Sequence, residues 1–460
     1  MFGLTSDPIL IKATMAHLNI EDISQNSSAG AVSKDNFRWV VIALGFAITL
    51  ICYLDRSAIS FAITPIKKEF GFNDQDFGFI AGAFGIGYMI MTVGGGILVD
   101  RWGARKTWSS AAILWSGCTA LMGLASSFWI LFLFRTLLGV AEGPHFPSLT
   151  RVVADWLPTS ERGRATAIGL SAVPVSAVIG APLLSNMVAS LGWKAMFAVL
   201  GCLGIVWAIA WFIVFRDYPE ACKHVSDEEL KYIREGKTSD RKKTAETLRH
   251  EDLAVGKTTW RFMLLNPSLM SNNFAFFSFG YLLFFAQTWL PGYLEQTYGL
   301  HIKQAGLFLI APWLTAAILL PFAGWLSDYL LKKTGSRRIS RSHMIWMCQL
   351  ASAICFIPVM FTHSLEVAIT MISLGMGLGL MPNAAFYALN CDLAKDRAGT
   401  SLGIMDCFFA LGGILAPSLT GIIANATHNF TAAFGLLIFF TLASVIGVIV
   451  FQKPDAEAVT

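Results

Sequence analysis

The chain has 460 residues, of which 55% are hydrophobic and only 14% charged, with a mean hydropathy of +0.59. A soluble domain is about 25% charged, so the composition excludes an ordinary soluble globular protein and belongs to one that crosses a membrane many times. The net charge of +4 decides little, because it sums over opposite faces of a membrane.

The first 37 residues are mixed polar, with a run SQNSSAGAVS and no basic segment leading into a short apolar core. They read as a cytoplasmic tail rather than a cleaved signal peptide. Twelve apolar stretches then follow, at about 38–63, 76–99, 107–126, 128–154, 162–189, 193–215, 267–297, 303–327, 342–361, 364–390, 398–424 and 429–451. Each approaches the roughly 20 residues that a helix needs to cross the hydrocarbon layer. The expected fold is therefore an all-α membrane protein of twelve transmembrane helices. A first six-helix bundle covers 38–215 and a second covers 267–451, with a short tail at 452–460.

Between the sixth and seventh stretches lies a polar linker, 216–266, rich in both signs of charge. Its segment SDEELKYIREG predicts a short amphipathic helix, capped by Ser226 with Glu229 at the capping-box position. Basic residues concentrate in alternate loops: DRWGARK, ERGR, LKKTGSRRISR and AKDR. Lys and Arg favour the cytoplasmic side of short loops, so those loops, the linker and both termini are expected there.

The halves repeat each other. Pro147 and Pro382, Arg162 and Arg397, and Pro182 and Pro417 are each 235 residues apart. ERGRATAIGLSA aligns with DRAGTSLGIMDC, and IGAPLLSNMV with ILAPSLTGII. Parallel six-helix repeats point to an alternating-access transporter whose site lies between the halves.

GILVDRWGARK, with Gly96, Asp100, Arg101, Gly103, Arg105 and Lys106, resembles the loop signature of the major facilitator superfamily. The resemblance implies a cytoplasmic latch, with Asp100 facing an Arg or a helix N-terminus of the neighbouring bundle in the outward-open state. YLDRSAIS, RTLLGVAEGPHFPS, WLPTSERGRA and TWLPGYL narrow it to the anion:cation symporter branch. That branch includes bacterial sugar-acid and carboxylate transporters and the animal vesicular glutamate and sialic-acid carriers. The likeness runs from about residue 38 to 451. The loop ITPIKKEFGFNDQD is too short for the glycosylated loop of the animal members, which favours a bacterial inner-membrane protein.

Four charges stand inside apolar stretches: Asp55, Arg56, Arg135 and Glu142. A charge at the bilayer centre costs at least ~2.5–3.5 kcal/mol, so such residues pair, face a cavity, or both. Arg135 and Glu142 are seven residues apart, which puts them on one helix face about 10.5 Å apart in depth. With both acids ionised the quartet is neutral, and with both protonated it is +2. A cavity that alternates between those charges would bind an anion together with protons and then let it go. Static ion pairs that fix packing are the competing reading, but buried pairs stabilise poorly against apolar packing.

In the resembling family the acids matching Asp55 and Glu142 couple protons. The Arg matching Arg56 grips the substrate carboxylate, and that matching Arg135 links to the acids. Tyrosines matching Tyr53 and Tyr88 hydrogen-bond the substrate, although a headgroup-level or packing tyrosine is equally consistent with the residues alone. Gln287, Tyr387 and Asn390 are further candidates for the substrate site. Asp406, in GIMDCFF, departs from the family's usual Asn. It reads as a second proton site, a contact for a cationic group of a zwitterion, or a neutral acid donating a hydrogen bond. His145, three residues after Glu142, reads as part of a proton path or as the cap of a polar patch.

The eight cysteines form no CxxC pair and read as small apolar residues, with no metal site and no disulfide framework. No cofactor and no nucleic-acid partner are expected. The partners are a small organic anion, protons and the lipid bilayer, and a monomer is the default for the superfamily. The reading is thus a proton-coupled importer of a small organic anion. Its alternatives are a carrier of amino acids or other amine-bearing solutes, a proton-coupled efflux carrier, and a non-transporting membrane sensor. Enzyme chemistry lacks any nucleotide-binding loop or nucleophile–base constellation.

Overall fold

A computed structural model describes residues 36–235, 260–394 and 398–457, and within these the secondary structure is helical throughout. Helix α1 spans Phe37–Phe61 and is followed by the short α2, Ile63–Phe70. Helix α3, Asp74–Met122, starts at a reciprocal cap: Asp76 N–H donates to Asn73 Oδ1 at 2.8 Å, and Asn73 N–H donates to Asp76 Oδ2 at 3.1 Å. Its 49 residues would reach about 74 Å if straight, more than twice a hydrocarbon layer. The chain instead folds back at Gly103, whose φ is 78°. Thr107 Oγ1 consequently reaches the carbonyl of Leu98, nine residues earlier, at 3.3 Å.

Helices α4, Phe128–Glu142, and α5, His145–Trp156, are separated by a break at Gly143–Pro144. Helices α6, Thr159–Leu191, and α7, Trp193–Val214, complete the first group. In the second group α10, Pro267–Tyr298, is followed by the pair α11, Ile302–Phe308, and α12, Ile310–Thr334. A π-helical stretch, Arg338–His343, runs into α13, Met344–Val359. Then come α14, Leu365–Leu380; α15, Asn383–Leu393; α16, Ala398–Thr427; and α17, Thr431–Phe451. By length and composition, nine helices among the described residues suit a membrane crossing, or ten with the bent α3 counted once. Counting α3 as two legs and α4–α5 as one broken span gives the pattern expected of twelve.

The linker expectation holds in part. Residues 227–235 form a helix, α8, and Ser226 Oγ accepts from Glu229 N–H at 3.2 Å. The Glu229 carboxylate does not return to residue 226. It accepts from the backbone N–H of Phe37 and Arg38 and from Arg38 Nη1, at 3.2, 3.0 and 3.0 Å. Arg38 also donates from Nε to Glu161 at 2.8 Å. A buried three-residue clasp thus joins α8, the start of α1 and the start of α6. Residues 236–259, the middle of the predicted linker, lie outside the described residues, as do the predicted N-terminal tail up to residue 35 and the end of the C-terminal tail from 458. A short helix, α9, Trp260–Leu265, precedes α10.

Helices before and after the linker meet along seams at one end. At Gly78 and Gly82 of α3, an added Cβ would lie 2.6 Å from Pro417 O and 2.5 Å from Ser418 Oγ of α16. Nearby, Thr64 Oγ1 donates to Glu295 Oε2 at 2.6 Å, and Phe77 meets Trp289 edge-on at 5.6 Å. At the opposite end the polar contacts among the described residues stay on one side of the linker. Asp100 pairs with Arg151, and Asp392 lies 3.9 Å from Arg337. Among the described residues, the molecule is closed at the end of residues 63–85 and parted at the end of the 100–106 loop.

Candidate functional site

The second half of α1 carries Cys52, Tyr53, Asp55 and Arg56, all buried. Arg56 donates from Nε to Glu142 Oε2 at 2.5 Å. Glu142 is the last residue of α4, at the break before Pro144. The Cys52 thiol, one helical turn before Arg56, donates to the same oxygen at 3.2 Å. Three rings surround the guanidinium: Tyr53, Tyr88 and Phe84, with centroids 4.6, 4.8 and 4.9 Å from Cζ. Among the described residues, Nη1 and Nη2 have no hydrogen-bond partner. A guanidinium is a planar fork that can present two parallel donors to a carboxylate. Here the Nε side is used within the protein and the terminal nitrogens are left over.

The two other charges stand apart. Asp55 is fully buried, and neither of its oxygens meets a donor. Glu142 Oε1 is likewise unpartnered. The expected link from Arg135 to the acids is absent from the hydrogen bonds. Arg135 Nη2 donates to Ala81 O at 3.4 Å, and its guanidinium stands 5.2 Å from the Phe84 ring. The two-turn spacing gives Arg135 and Glu142 a common face, but among the described residues the Arg135 side chain bonds Ala81 O and not Glu142.

The facing wall comes from α10, α15 and α16. Tyr387 Oη donates to Asp406 Oδ1 across 3.5 Å. The two walls meet through Phe84 and Phe284, with ring centroids 6.4 Å apart, and Phe284 meets Phe409, three residues after Asp406, at 5.2 Å. Gln287 lines a narrow cleft between the walls with Ser57, Phe61, Ser176 and Trp313. Asn390 is fully buried, with Nδ2 3.5 Å from Ser401 O and 3.7 Å from Met405 Sδ.

The helices therefore bring together Tyr53, Arg56, Tyr88 and Glu142 from one side and Tyr387 and Asp406 from the other. Sequence reasoning missed Phe84 and Cys52. Both had a signal, since Cys52 lies four residues before Arg56 and Phe84 four before Tyr88, the spacing of neighbours on a helix face. The reading of Cys52 as merely a small apolar residue is corrected by its bond to Glu142. His145 belongs to a ring cluster. Its Nδ1 accepts from Trp108 Nε1 at 3.2 Å, and Trp108, Trp115 and Phe146 lie around it with ring centroids 4.9–5.9 Å away.

In the 100–106 loop, Asp100 is mostly exposed and meets Arg151 at 3.2 Å, on its own side of the linker. This differs from the cross-bundle partner expected for the outward-open state, because the two sides are parted at this end. Arg105 N–H donates to Asp217 Oδ1 at 2.8 Å, and Arg105 Nη2 donates to Phe212 O at 2.6 Å. A Cβ at Gly103 would sit 2.6 Å from that same Asp217 oxygen. Glycine is required there by positive φ and by close approach together. Arg101 and Lys106 are exposed, and Gly96 faces open space.

The model of the Major Facilitator Superfamily matches residues 45–337 and 304–460. The chain belongs to the Major Facilitator Superfamily. As a member it is an integral membrane transporter and not an enzyme. Among its relatives is the "Hexuronate transporter" of Bacillus subtilis, 30% identical, with 92% of this chain and 96% of that one aligned. The "Probable galactarate/D-glucarate transporter GudP" of the same organism is 31% identical over 95% of this chain and 96% of its own. The "Probable sulfoacetate transporter SauU" of Cupriavidus necator is 30% identical over 92% and 96%. The superfamily fold is seen again in a solved D-xylose–proton symporter, with a TM-score of 0.70 at 13% identity, covering 92% of this chain and 99% of that one. A bacterial homologue of the lysosomal transporter Spinster, in an inward-facing state, gives 0.69 at 18%, covering 93% and 97%.

Proposed function

We propose that this chain carries a small organic anion, a sugar acid or another carboxylate, together with protons, by alternating access of one cavity between two six-helix bundles. The observation that carries the reading is the unpartnered pair of terminal nitrogens on Arg56, held by Glu142 and three rings between the two walls. A carboxylate would take those nitrogens in a two-point contact. The names of the hexuronate and glucarate relatives agree with that chemistry.

Protons enter through Asp55 and Glu142. Each carries an oxygen that no donor meets. Protonating Glu142 weakens its hold on Arg56 and leaves the guanidinium free for the anion. Loss of the proton restores the internal pair and expels the anion. With the basic loops in the cytoplasm of a bacterial inner membrane, the parted end faces inward, and both termini lie on that side. The protein works as a monomer, and Asp100 finds its cross-bundle partner when that end closes.

Asp406 favours a narrower reading of the substrate. Its carboxylate stands on the wall opposite that of Arg56, beside Tyr387, so a solute with a hydroxyl or amine opposite its carboxylate fits better than a simple monoacid. Thermal stabilisation of the purified protein by sugar acids, dicarboxylates, amino acids and nucleosides, at pH 5.5 and pH 7.5, tests the reading through mass action. Stronger stabilisation by sugar acids at the lower pH supports it. Stabilisation by neutral compounds alone overturns it.

A further inference from the structure

Away from the central cavity, a groove of about 270 Å³ opens on the outer wall, at the parted end. It is lined by Arg338, Ser342, His343 and Trp346 from the π-helical stretch and the start of α13, and by Val448 and Ile449 from the end of α17. The lining is both polar and apolar: Arg338, Ser342 and His343 come from the π-helical stretch, Trp346 from the start of α13, and Val448 and Ile449 from the last turn of α17. Around the groove Met347, Ile446 and Ile449 are exposed, as on a lipid-facing surface. Whatever occupies the groove must be amphiphilic.

Two features ask for an anion at the polar end. Ser342 lines the groove and is 2% exposed, and among the described residues its hydroxyl has no hydrogen-bond partner. A buried hydroxyl without a partner is costly, which implies a ligand group that meets it. Arg338 is exposed and joins none of the ion pairs around it. Those pairs engage its neighbours: Arg341 meets Asp328 at 3.2 Å, and Arg337 lies 3.9 Å from Asp392. The nearby Asp455 carboxylate is already occupied by Ser336 Oγ and the backbone N–H groups of Arg337 and Arg338, at 2.6, 2.8 and 3.3 Å. Among the described residues no acid lines the groove, so a zwitterionic headgroup would leave its amine unmatched.

We propose that this groove binds an anionic phospholipid of the phosphatidylglycerol class. The phosphate meets Arg338, the Ser342 hydroxyl and His343, and an acyl chain lies along Trp346 and Ile449. The π-helical turn serves the site. Arg338 and Ser342, four residues apart, share one face of it, and such turns recur at functional sites. The proposal is independent of which solute the transporter carries.

The test is native mass spectrometry and thermal shift of the purified protein, with added dioleoyl phosphatidylglycerol, dioleoyl phosphatidylcholine or inorganic phosphate. Retention of phosphatidylglycerol over phosphatidylcholine is expected. Arg338→Gln should weaken that retention about fivefold, the effect of one basic contact near a membrane surface. Arg338 makes no ion pair, so the variant keeps its fold. Ser342→Ala should weaken retention as well, while the Lys332→Gln/Lys333→Gln variant should not. Equal retention of the two lipids, equal stabilisation by phosphate alone, or equal loss in the lysine variant would each overturn the proposal.

Discussion

The two walls of the cavity are built on different principles. The wall from α1, α3 and α4 holds four buried charges and gives Arg56 one internal partner and three ring faces. The facing wall is aromatic, with Phe276, Phe409 and Tyr387 in contact, and offers Asp406 as its mid-helix acid. Charge on one wall and shape on the other suggest a division of labour. The first wall sets when an anion binds, and the second sets which anion.

Substitutions on the two walls should therefore fail differently. Arg56→Ala should be the most severe, since truncating one partner of a buried charge pair costs about 2–5 kcal/mol. Binding and exchange should both vanish in proteoliposomes, and Arg56→Lys should not rescue them, because a point charge cannot replace a stacked fork. Measurable exchange by Arg56→Ala would remove the residue from the site. Glu142→Gln should keep exchange of substrate across the membrane but lose accumulation driven by a pH gradient. Full accumulation by that variant would take Glu142 out of the coupling path.

On the opposite wall, Asp406→Asn should leave proton-driven uptake in place and change the ranking of solutes by about tenfold, the worth of one charged hydrogen bond. A collapse of coupling instead of a change in ranking would break the comparison between the walls. Cys52→Ala should be the mildest change. The thiol is a weak donor, so a shift of about twofold to threefold in the pH dependence of uptake is expected, with little loss of maximal rate.

Most of the span positions were legible in the sequence, because an apolar run of membrane length has few other uses. So were the four buried charges, which stand out against Phe and Leu. What was hidden is contact between distant residues. Nothing around Glu229 signals that it closes on Arg38, 191 residues away, rather than on its own helix cap. Helical spacing placed Arg135 and Glu142 on one face but could not say that Arg135 would bond Ala81 O. The π-helical stretch left no trace in the hydrophobic pattern, although it shapes the lipid groove.

The seam between α3 and α16 has a mechanical consequence. At Gly78 and Gly82 the two helices are separated by less than the thickness of a side chain. Such a joint has few rotamers to re-sort when it parts. It also works as a feeler gauge. A single methyl group at Gly82 is a shim that loads the closed arrangement alone, and each 1.4 kcal/mol it adds moves the balance of the two facing states tenfold.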